Sequence, residues 1–312
     1  MSYNLMLDVG GSSIKAGIFD GNGKLYKNSI YTFDAKAQAG TEEILGNFAE
    51  ILRILAGILP APADSIAGVV MAFPGPFDYL RGISRMKKLG KYDSIYGLPL
   101  EQEIRKRFPA SVGGDRLPEG CRFLFRNDVE AFALGESRFG RVRTWRKVMY
   151  LCMGTGAGSA FTVNCRILGG RVENNVPKNG WIYATPYRES IIDDYLSIRG
   201  LEKLSRAHFG EVKSGKELFD LCRQGNQTAL KVYREFGVWL REALVPFLDS
   251  FEPDGFVLGG QLAKSFAYFG GEFSAACKAR DIKICLTANT SRRIMEGLYL
   301  ALENSIVFPD DR

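Results

Sequence analysis

An apolar strand that breaks on glycines and returns as a second apolar strand occurs twice in this chain, and no other feature restricts its fold as much. The first copy runs Leu5 to Val9, Gly10-Gly11-Ser12-Ser13, then Ile14 to Phe19. The second runs Val148 to Met153, Gly154-Thr155-Gly156-Ala157-Gly158, then Ser159 to Val163. Short apolar runs joined by glycine turns are strands, and each copy is followed by helical periodicity. The pattern predicts an α/β chain of two similar halves facing each other across a cleft. A length of 312 residues suits two domains.

Several function classes are disfavoured by composition. Hydrophobic residues make up 46% and charged residues 24%, the balance of a globular protein. The net charge of +6 comes from Lys and Arg scattered among nearly as many acids, with no basic block, so no nucleic-acid partner is expected. The apolar run Leu5 to Val9 contains Asp8 and is too short for a signal core or a membrane span, so the expected location is the cytoplasm and no membrane partner is expected. Cysteines 121, 152, 165, 222, 277 and 285 show no C-x-x-C spacing and no neighbouring histidine, which reads as reduced thiols and not as zinc ligands. His208, the single histidine, lies in a helical stretch and reads as a surface or packing residue.

The remaining elements follow from periodicity. Leu25 to Ile30 reads as a third strand after the turn Asp20-Gly21-Asn22-Gly23. Thr41 can cap a helix with Glu42 and Glu43 in its first turn and apolar residues at 44, 45, 48, 51, 52 and 55. Ile66 to Ala72 is a buried strand ending in Phe73-Pro74-Gly75-Pro76. Asn226 to Phe251 is helical, with a kink expected at Pro246. Phe256 to Leu258 is a last core strand, broken by Gly259-Gly260 before a helix from Ala263.

The strand Phe123 to Asn127 runs straight into Asp128, which opens a helix over Val129 to Phe139. A carboxylate at such a junction can accept the proton of an alcohol, with Asn127 beside it to fix the acceptor; it can equally cap the helix, and the two roles are compatible. The turn Gly10-Gly11-Ser12-Ser13 can point backbone N–H groups at an anion, with Asp8 able to hold a metal-bound water, or can be an ordinary hairpin turn. Gly154, Thr155 and Gly156 follow the same logic. Gly259, Gly260 and Gln261 can offer a flat surface to adenine or ribose, or form a simple strand-to-helix turn. Alcohol phosphorylation needs a base, a metal ion bridging the phosphates and donors that hold the phosphoryl in line.

Taken in order, Asp8 to Lys15, Pro74-Gly75-Pro76, Asn127-Asp128 with Ala131 and Gly135-Glu136, Gly154 to Gly158 and Leu258-Gly259-Gly260 resemble the ROK family of sugar kinases and repressors, within the hexokinase and actin-like ATPase superfamily. The resemblance spans nearly the whole chain. It implies a two-domain actin-like (ribonuclease H-like) ATPase fold, with a first domain of residues 1–126 plus a C-terminal helix at about 291–312 and a second of 127–290. It also implies ATP and Mg²⁺ at Asp8, Gly10, Gly11, Ser12, Ser13, Lys15, Gly154, Thr155, Gly156, Gly259, Gly260 and Gln261. Asp128 is the implied base towards a sugar hydroxyl, and a homodimer is implied as the assembly.

The sugar-handling pattern departs from the family. Lys88 precedes Leu89 where the family has Asn, Gly180-Trp181-Ile182-Tyr183-Ala184 replaces Gly-Glu-x-Gly-His, and the zinc cysteines give way to Thr185 to Ser197, read as an uninterrupted helix over its second half. Gly75, Lys88, Asn127 and Trp181 are the expected sugar contacts: Trp181 or Tyr183 can stack on a sugar face or belong to the core, and Lys88 can bind a polar or anionic substituent or be solvated. The expected function is ATP-dependent phosphorylation of a hexose or hexose derivative. Two alternatives are a catalytically silent sugar or nucleotide sensor and an actin-like ATPase acting as chaperone or filament. With Asp8 so near the start of the sequence, the helix-turn-helix of family repressors is not expected.

Overall fold

The computed structural model of the protein describes residues 2–59, 66–108, 117–169 and 176–303, which form two compact units: one of 1–135 with 291–312, the other of 136–290. The sheet of the first unit comprises β1 (Tyr3–Val9), β2 (Ser13–Asp20), β3 (Tyr31–Asp34), β4 (Ile66–Phe73) and β5 (Arg122–Asn127). Its order is β3-β2-β1-β4-β5, antiparallel through β3, β2 and β1 and parallel from β1 to β4 and β5. The second unit repeats the pattern with β6 (Lys147–Met153), β7 (Ala157–Val163), β8 (Arg166–Ile167), β9 (Gly255–Gly259) and β10 (Lys283–Leu286), in the order β8-β7-β6-β9-β10. Sheets in which a β-hairpin is extended by parallel strands need helical crossovers, and both faces are then covered.

In the first unit the helices are α1 (Thr41–Ile58), α2 (Leu100–Arg107) and α3 (Asp128–Phe139). The second contains α4 (Ile192–Tyr195), α5 (Ile198–Phe209), α6 (Gly215–Arg223), α7 (Gln227–Phe251), α8 (Phe266–Phe269) and α9 (Gly271–Lys278), and α10 (Thr290–Leu302) returns the chain to the first. The apolar stripe of α1, with Ile44, Leu45, Phe48, Ile51, Leu52 and Leu55 all buried, shares a core with Leu5, Leu7, Ile14, Val69 and Phe73. On the opposite face of that sheet α10 comes close: an added Cβ on Gly17 would lie 3.1 Å from Met295 Sδ, and one on Gly68 3.1 Å from Leu302. The core of the second unit gathers Met149, Leu151, Phe161, Phe236, Leu240, Phe251 and Leu258 around α7.

Four local expectations shift. The third strand is Tyr31–Asp34, because Leu25 makes only a single bridge to Phe19 and the chain then turns through Lys27 and Asn28 in left-handed conformations. Thr41 is the first residue of α1 and not its cap; Gly40 holds the cap position and the Thr41 hydroxyl donates to the Ser94 carbonyl at 2.7 Å. The stretch expected to be one helix is a two-residue hairpin, Pro186–Tyr187 with Ser190–Ile191, then α4 and, after a break at Leu196 and Ser197, α5. After β9 comes a 3₁₀ turn over Gln261–Ser265 before α8.

The domain boundary is expected at 126/127; the compact units divide at 135/136, and two glycines tie α3 to α10. A Cβ on Gly135 of α3 would meet the Arg293 carbonyl at 1.8 Å, and one on Gly297 of α10 the Ala131 carbonyl at 1.9 Å. The two helix backbones therefore touch, which only glycine permits, and α3 belongs with the first sheet. Gly297→Val is expected to destabilise the protein by about 2–3 kcal/mol in denaturant titration, as an overpacked site whose neighbour is rigid backbone. Gly46→Ala, on α1 where an added Cβ meets nothing within 4 Å, is expected to be neutral or to stabilise by about 0.5–1 kcal/mol.

Candidate active site

At the end of the first sheet, parallel pairing sets Asn127 beside Phe73, and the antiparallel hairpin sets Asp8 opposite Lys15. Asn127 takes over most of the capping that Asp128 was equally able to perform: its Oδ1 accepts the Val129 N–H at 3.0 Å and the Glu130 N–H at 3.1 Å. Asp128 Oδ1 also accepts from Val129, at 3.0 Å, which fixes the carboxylate while leaving its other oxygen for a substrate. Asn127 Nδ2 donates to the Tyr79 hydroxyl at 3.1 Å, and that hydroxyl donates to the Phe73 carbonyl at 3.0 Å. The Gly75–Pro76 peptide is cis, Gly75 is exposed, and a Cβ there would stand 3.5 Å from the Tyr79 hydroxyl. Gly75, Asn127 and Asp128 thus converge, with Tyr79 as the link that sequence reading missed.

Asp128 is pushed up to about 6, first by loss of hydration and then by the negative charge of Asp8, against the opposing pull of Lys91 and the Val129 N–H. Asp8 is raised as well, mainly by desolvation, while a hydrogen bond from Ser291 of α10 and the charge of Lys15 act against it. Both carboxylates keep part of their surface exposed, so solvent screens some of this effect without reversing its direction. The lysine whose charge reaches Asp128 is Lys91; Lys88, three residues earlier, is exposed.

The glycine turn of this unit is tight. Gly10 N–H donates to the Ser13 carbonyl at 3.0 Å, and a Cβ at Gly10 would approach that same oxygen to 2.8 Å. Ser12 is exposed, its carbonyl accepting from the Ala35 N–H at 3.3 Å, while Gly11, Ser13 and Lys15 are half-buried.

In the second unit, the parallel register of Gly259 with Cys152 brings Gly259 and Gly260 beside the Gly154 loop, and a Cβ on Gly260 would reach the Met153 carbonyl at 2.3 Å. The Gly260 N–H donates to Thr290 Oγ1 at 3.0 Å, and Gln261 is exposed. The loop itself is braced from behind. Asp193 Oδ1 accepts the Ala157 N–H at 2.6 Å, the Gly154 carbonyl accepts the Ile198 N–H at 2.9 Å, and Arg199 donates to the Thr155 carbonyl at 2.8 Å and to the Asp193 carboxylate. A Cβ at Gly156 would sit 2.9 Å from Asp193 Oδ1, so a side chain there would displace that carboxylate from the loop.

Neither Asp193 nor Arg199 was found from the sequence, because a single helix through this stretch leaves no reason for either to face the loop. Trp181 belongs to the second unit. It is half-buried, tilted against exposed Tyr183 at 6.3 Å, with its indole Nε1 buried and without a hydrogen-bond partner.

Two sheets of one order, each ending in a glycine turn, with a raised carboxylate at the end of the first, define an actin-like ATPase fold of the phosphotransferase class. The chain belongs to the ROK family, whose model matches residues 4–278. It is 25% identical to a glucokinase of Thermotoga maritima, over 83% of this chain and 82% of that protein, and 26% identical to an N-acetyl-D-glucosamine kinase of Haemophilus influenzae, over 82% and 83%. Its fold matches a ROK family glucokinase from Streptomyces griseus in complex with glucose and AMPPNP, with a TM-score of 0.70 and 17% identity over 96% of this chain and 99% of that one. A putative N-acetylmannosamine kinase from Listeria monocytogenes gives a TM-score of 0.71 at 18% identity, over 97% and 100%.

Among the described residues, no helix is long and apolar enough to cross a membrane. Arg199→Ala, which unties Thr155 and frees Asp193, is expected to raise the KM for the nucleotide about five- to tenfold with kcat within about twofold, corresponding to the loss of roughly one or two charge-assisted hydrogen bonds. Steady-state kinetics at saturating acceptor checks this.

Proposed function

We propose that the protein transfers the γ-phosphoryl group of ATP to a hydroxyl of a hexose or N-acetylated hexose, with Asp128 as the general base. The observation that carries this reading is the environment of Asp128: a carboxylate fixed by a backbone N–H, raised to about 6, between the cis Gly75–Pro76 turn and the glycine turn that starts at Gly10. A base poised just below neutral pH is ionised at pH 7 and still basic enough to take a proton as the alcohol oxygen attacks. The acceptor O–H gives its proton to Asp128, its oxygen bonds to the γ-phosphorus, and the bond from that phosphorus to the bridging oxygen breaks as ADP departs with the electron pair.

Mg²⁺ comes with ATP as part of the donor. Asp8, beside the glycine turn, suits a water of that ion, and Lys15 opposite it balances the charge. Gly10, Gly11, Ser12 and Ser13 in the first unit and Gly154, Thr155, Gly156, Gly259, Gly260 and Gln261 in the second are assigned to the nucleotide. Gly75, Asn127 and, through Lys88 or Trp181, the altered sugar loops are assigned to the acceptor. The glucokinase and N-acetyl-D-glucosamine kinase relatives set the acceptor panel to try first.

ADP release from ATP·Mg²⁺ across hexoses, N-acetylated amino sugars and sugar acids is expected to depend on one acceptor class and to fall about 10²–10⁴-fold in Asp128→Asn. ATP turnover indifferent to every sugar would favour an actin-like ATPase, and nucleotide binding without turnover a sensor. Because the base works only when ionised, kcat/KM is expected to drop as pH falls through about 6, the value to which Asp128 is raised. A flat profile from pH 5 to 8 would contradict the assignment.

The same raised pKa has a stability consequence. The folded state holds the Asp128 proton more tightly than the unfolded chain, so its contribution to stability is complete below the unfolded carboxylate value and is lost as pH rises through about 6. At pH 7 Asp128→Asn is therefore expected to melt higher than the wild type, by about 2–6 °C, and to lose that advantage at pH 4.

A further inference from the structure

We infer that Lys91 is a further catalytic residue, whose ammonium bears on the phosphoryl group being transferred at the Gly10–Ser13 turn. The inference rests on the kinase reading and adds to it a group that neither motif nor spacing marks.

The geometry begins with the backbone. Lys88, Gly90 and Tyr92 have φ of 60°, 70° and 56°, so Lys91 lies between two left-handed residues and a third stands close before it. For a bulky residue such as Tyr that conformation costs on the order of 1–3 kcal/mol and persists only where the surroundings enforce it. Here they do. The Asp93 carboxylate accepts the N–H groups of Leu89 and Gly90, each at 3.0 Å, and the Tyr92 N–H donates to the Ala37 carbonyl at 2.6 Å. The Tyr92 ring is fully buried against Phe48 and Phe73, with centroids 6.3 and 5.1 Å away.

The anchor reaches the phosphate turn itself, since the Tyr92 hydroxyl donates to the Gly10 carbonyl at 2.9 Å. Lys91, the next residue back, lays its stem across the neighbouring glycine: a Cβ on Gly11 would stand 3.5 Å from Lys91 Cδ. The chain thus strains Lys88 and Tyr92, with Gly90 free to take the same conformation, to hold one cation above the glycine turn. Among the described residues no carboxylate forms an ion pair with that ammonium, so it remains available to a substrate oxygen.

Its electrostatic setting agrees. Asp128 and Asp8 place two negative charges where a triphosphate must approach, and Lys91 is the cation that acts on Asp128. Without it, an attacking carboxylate-bound alcohol and a phosphoryl group meet across like charges. With it, charge growing on the equatorial oxygens is met by a pre-placed ammonium, which is the usual source of rate in phosphoryl transfer. The same residue, by favouring the ionised form of Asp128, keeps the base ready.

The test compares wild type with Lys91→Met, Lys91→Arg and, as a charge-matched control from the same loop, Lys87→Met, whose ammonium lies over the Tyr96 ring at 5.4 Å. Sugar-dependent ADP release is expected to lose about 10²–10³ in kcat in Lys91→Met, with the sugar KM within about threefold, to recover in part in Lys91→Arg, and to be unchanged in Lys87→Met. Calorimetry supplies a readout that needs no turnover: wild type is expected to bind the non-hydrolysable analogue AMPPNP more tightly than ADP, and Lys91→Met to bind the two equally. An unchanged kcat, a change confined to the sugar KM, or an unaltered ratio of AMPPNP to ADP affinity overturns the inference. Should no sugar support turnover in the wild type, the kinase reading falls, and the affinity ratio still decides whether Lys91 meets the γ-phosphoryl group.

Discussion

Backbone contact between α3 and α10 is the constraint on which the first unit's site depends. Gly135 faces the Arg293 carbonyl and Gly297 the Ala131 carbonyl at separations no side chain could occupy. The crossing fixes the helix that opens at Asp128 against the helix that begins beside Ser291, and Ser291 is the group that hydrogen-bonds Asp8. The two acidic residues of the site are thus placed by one close contact between helices far apart in sequence. A chain whose last helix packed elsewhere would leave Asp8 without its donor and α3 without its partner. Such dependence on backbone and not on side-chain packing explains why the contact tolerates no enlargement: backbone atoms of two regular helices cannot move aside as a rotamer can.

Charge at the site is arranged by position more than by pairing. Asp8 and Asp128 both resist ionisation because they are surrounded by protein, Asp128 also because of the charge of Asp8, while Lys15 acts against the shift of Asp8 and Lys91 against that of Asp128. A tight salt bridge would hold Asp128 well below the usual carboxylate range and leave a weak base. In the proposed reaction, a cation acting without a close ion pair favours the ionised carboxylate and leaves it basic enough to take a proton. The second unit uses the opposite device around its glycine loop, where Asp193 and Arg199 are bonded directly to loop backbone and to each other. Rigidity there suits the proposed binding loop, whereas the base proposed at Asp128 needs a tunable proton.

Much of this was legible in the sequence, for identifiable reasons. The duplicated strand-glycine-strand pattern maps onto two sheets of the same order because strand periodicity and glycine turns are local signals. The stripe of α1 and the strand leading into Asp128 follow the same rule. What was not legible depends on conformations that a one-dimensional pattern cannot show. Lys27 and Asn28 turn the chain so that the third strand starts only at Tyr31; the break at Leu196 and Ser197 separates α4, which carries Asp193, from α5, which carries Arg199. Lys88 attracted notice because it replaces a family residue, yet three left-handed residues in the same loop bring Lys91 towards Asp128.

The pattern of retained and altered residues carries a last consequence. The residues assigned to phosphate rest largely on backbone: Gly10 and Gly260, whose added Cβ would meet main-chain oxygens, and the N–H groups and side chains bonded to the glycine turns. Gly10 and Gly260 are hard to change without loss of the fold, because the groups they face are themselves main chain. The residues that would choose the acceptor, Lys88, Trp181 and Tyr183, sit on loops where side chains can be exchanged at little structural cost; Lys88 and Tyr183 are exposed, and Trp181 keeps an indole N–H with no partner. On the proposed reading, the residues assigned to phosphoryl transfer are structurally constrained and the choice of acceptor falls to the loops. The chain's distance from the glucokinase and N-acetyl-D-glucosamine kinase relatives, about a quarter identical to each, therefore weighs more heavily on which sugar it takes than on whether it transfers phosphate.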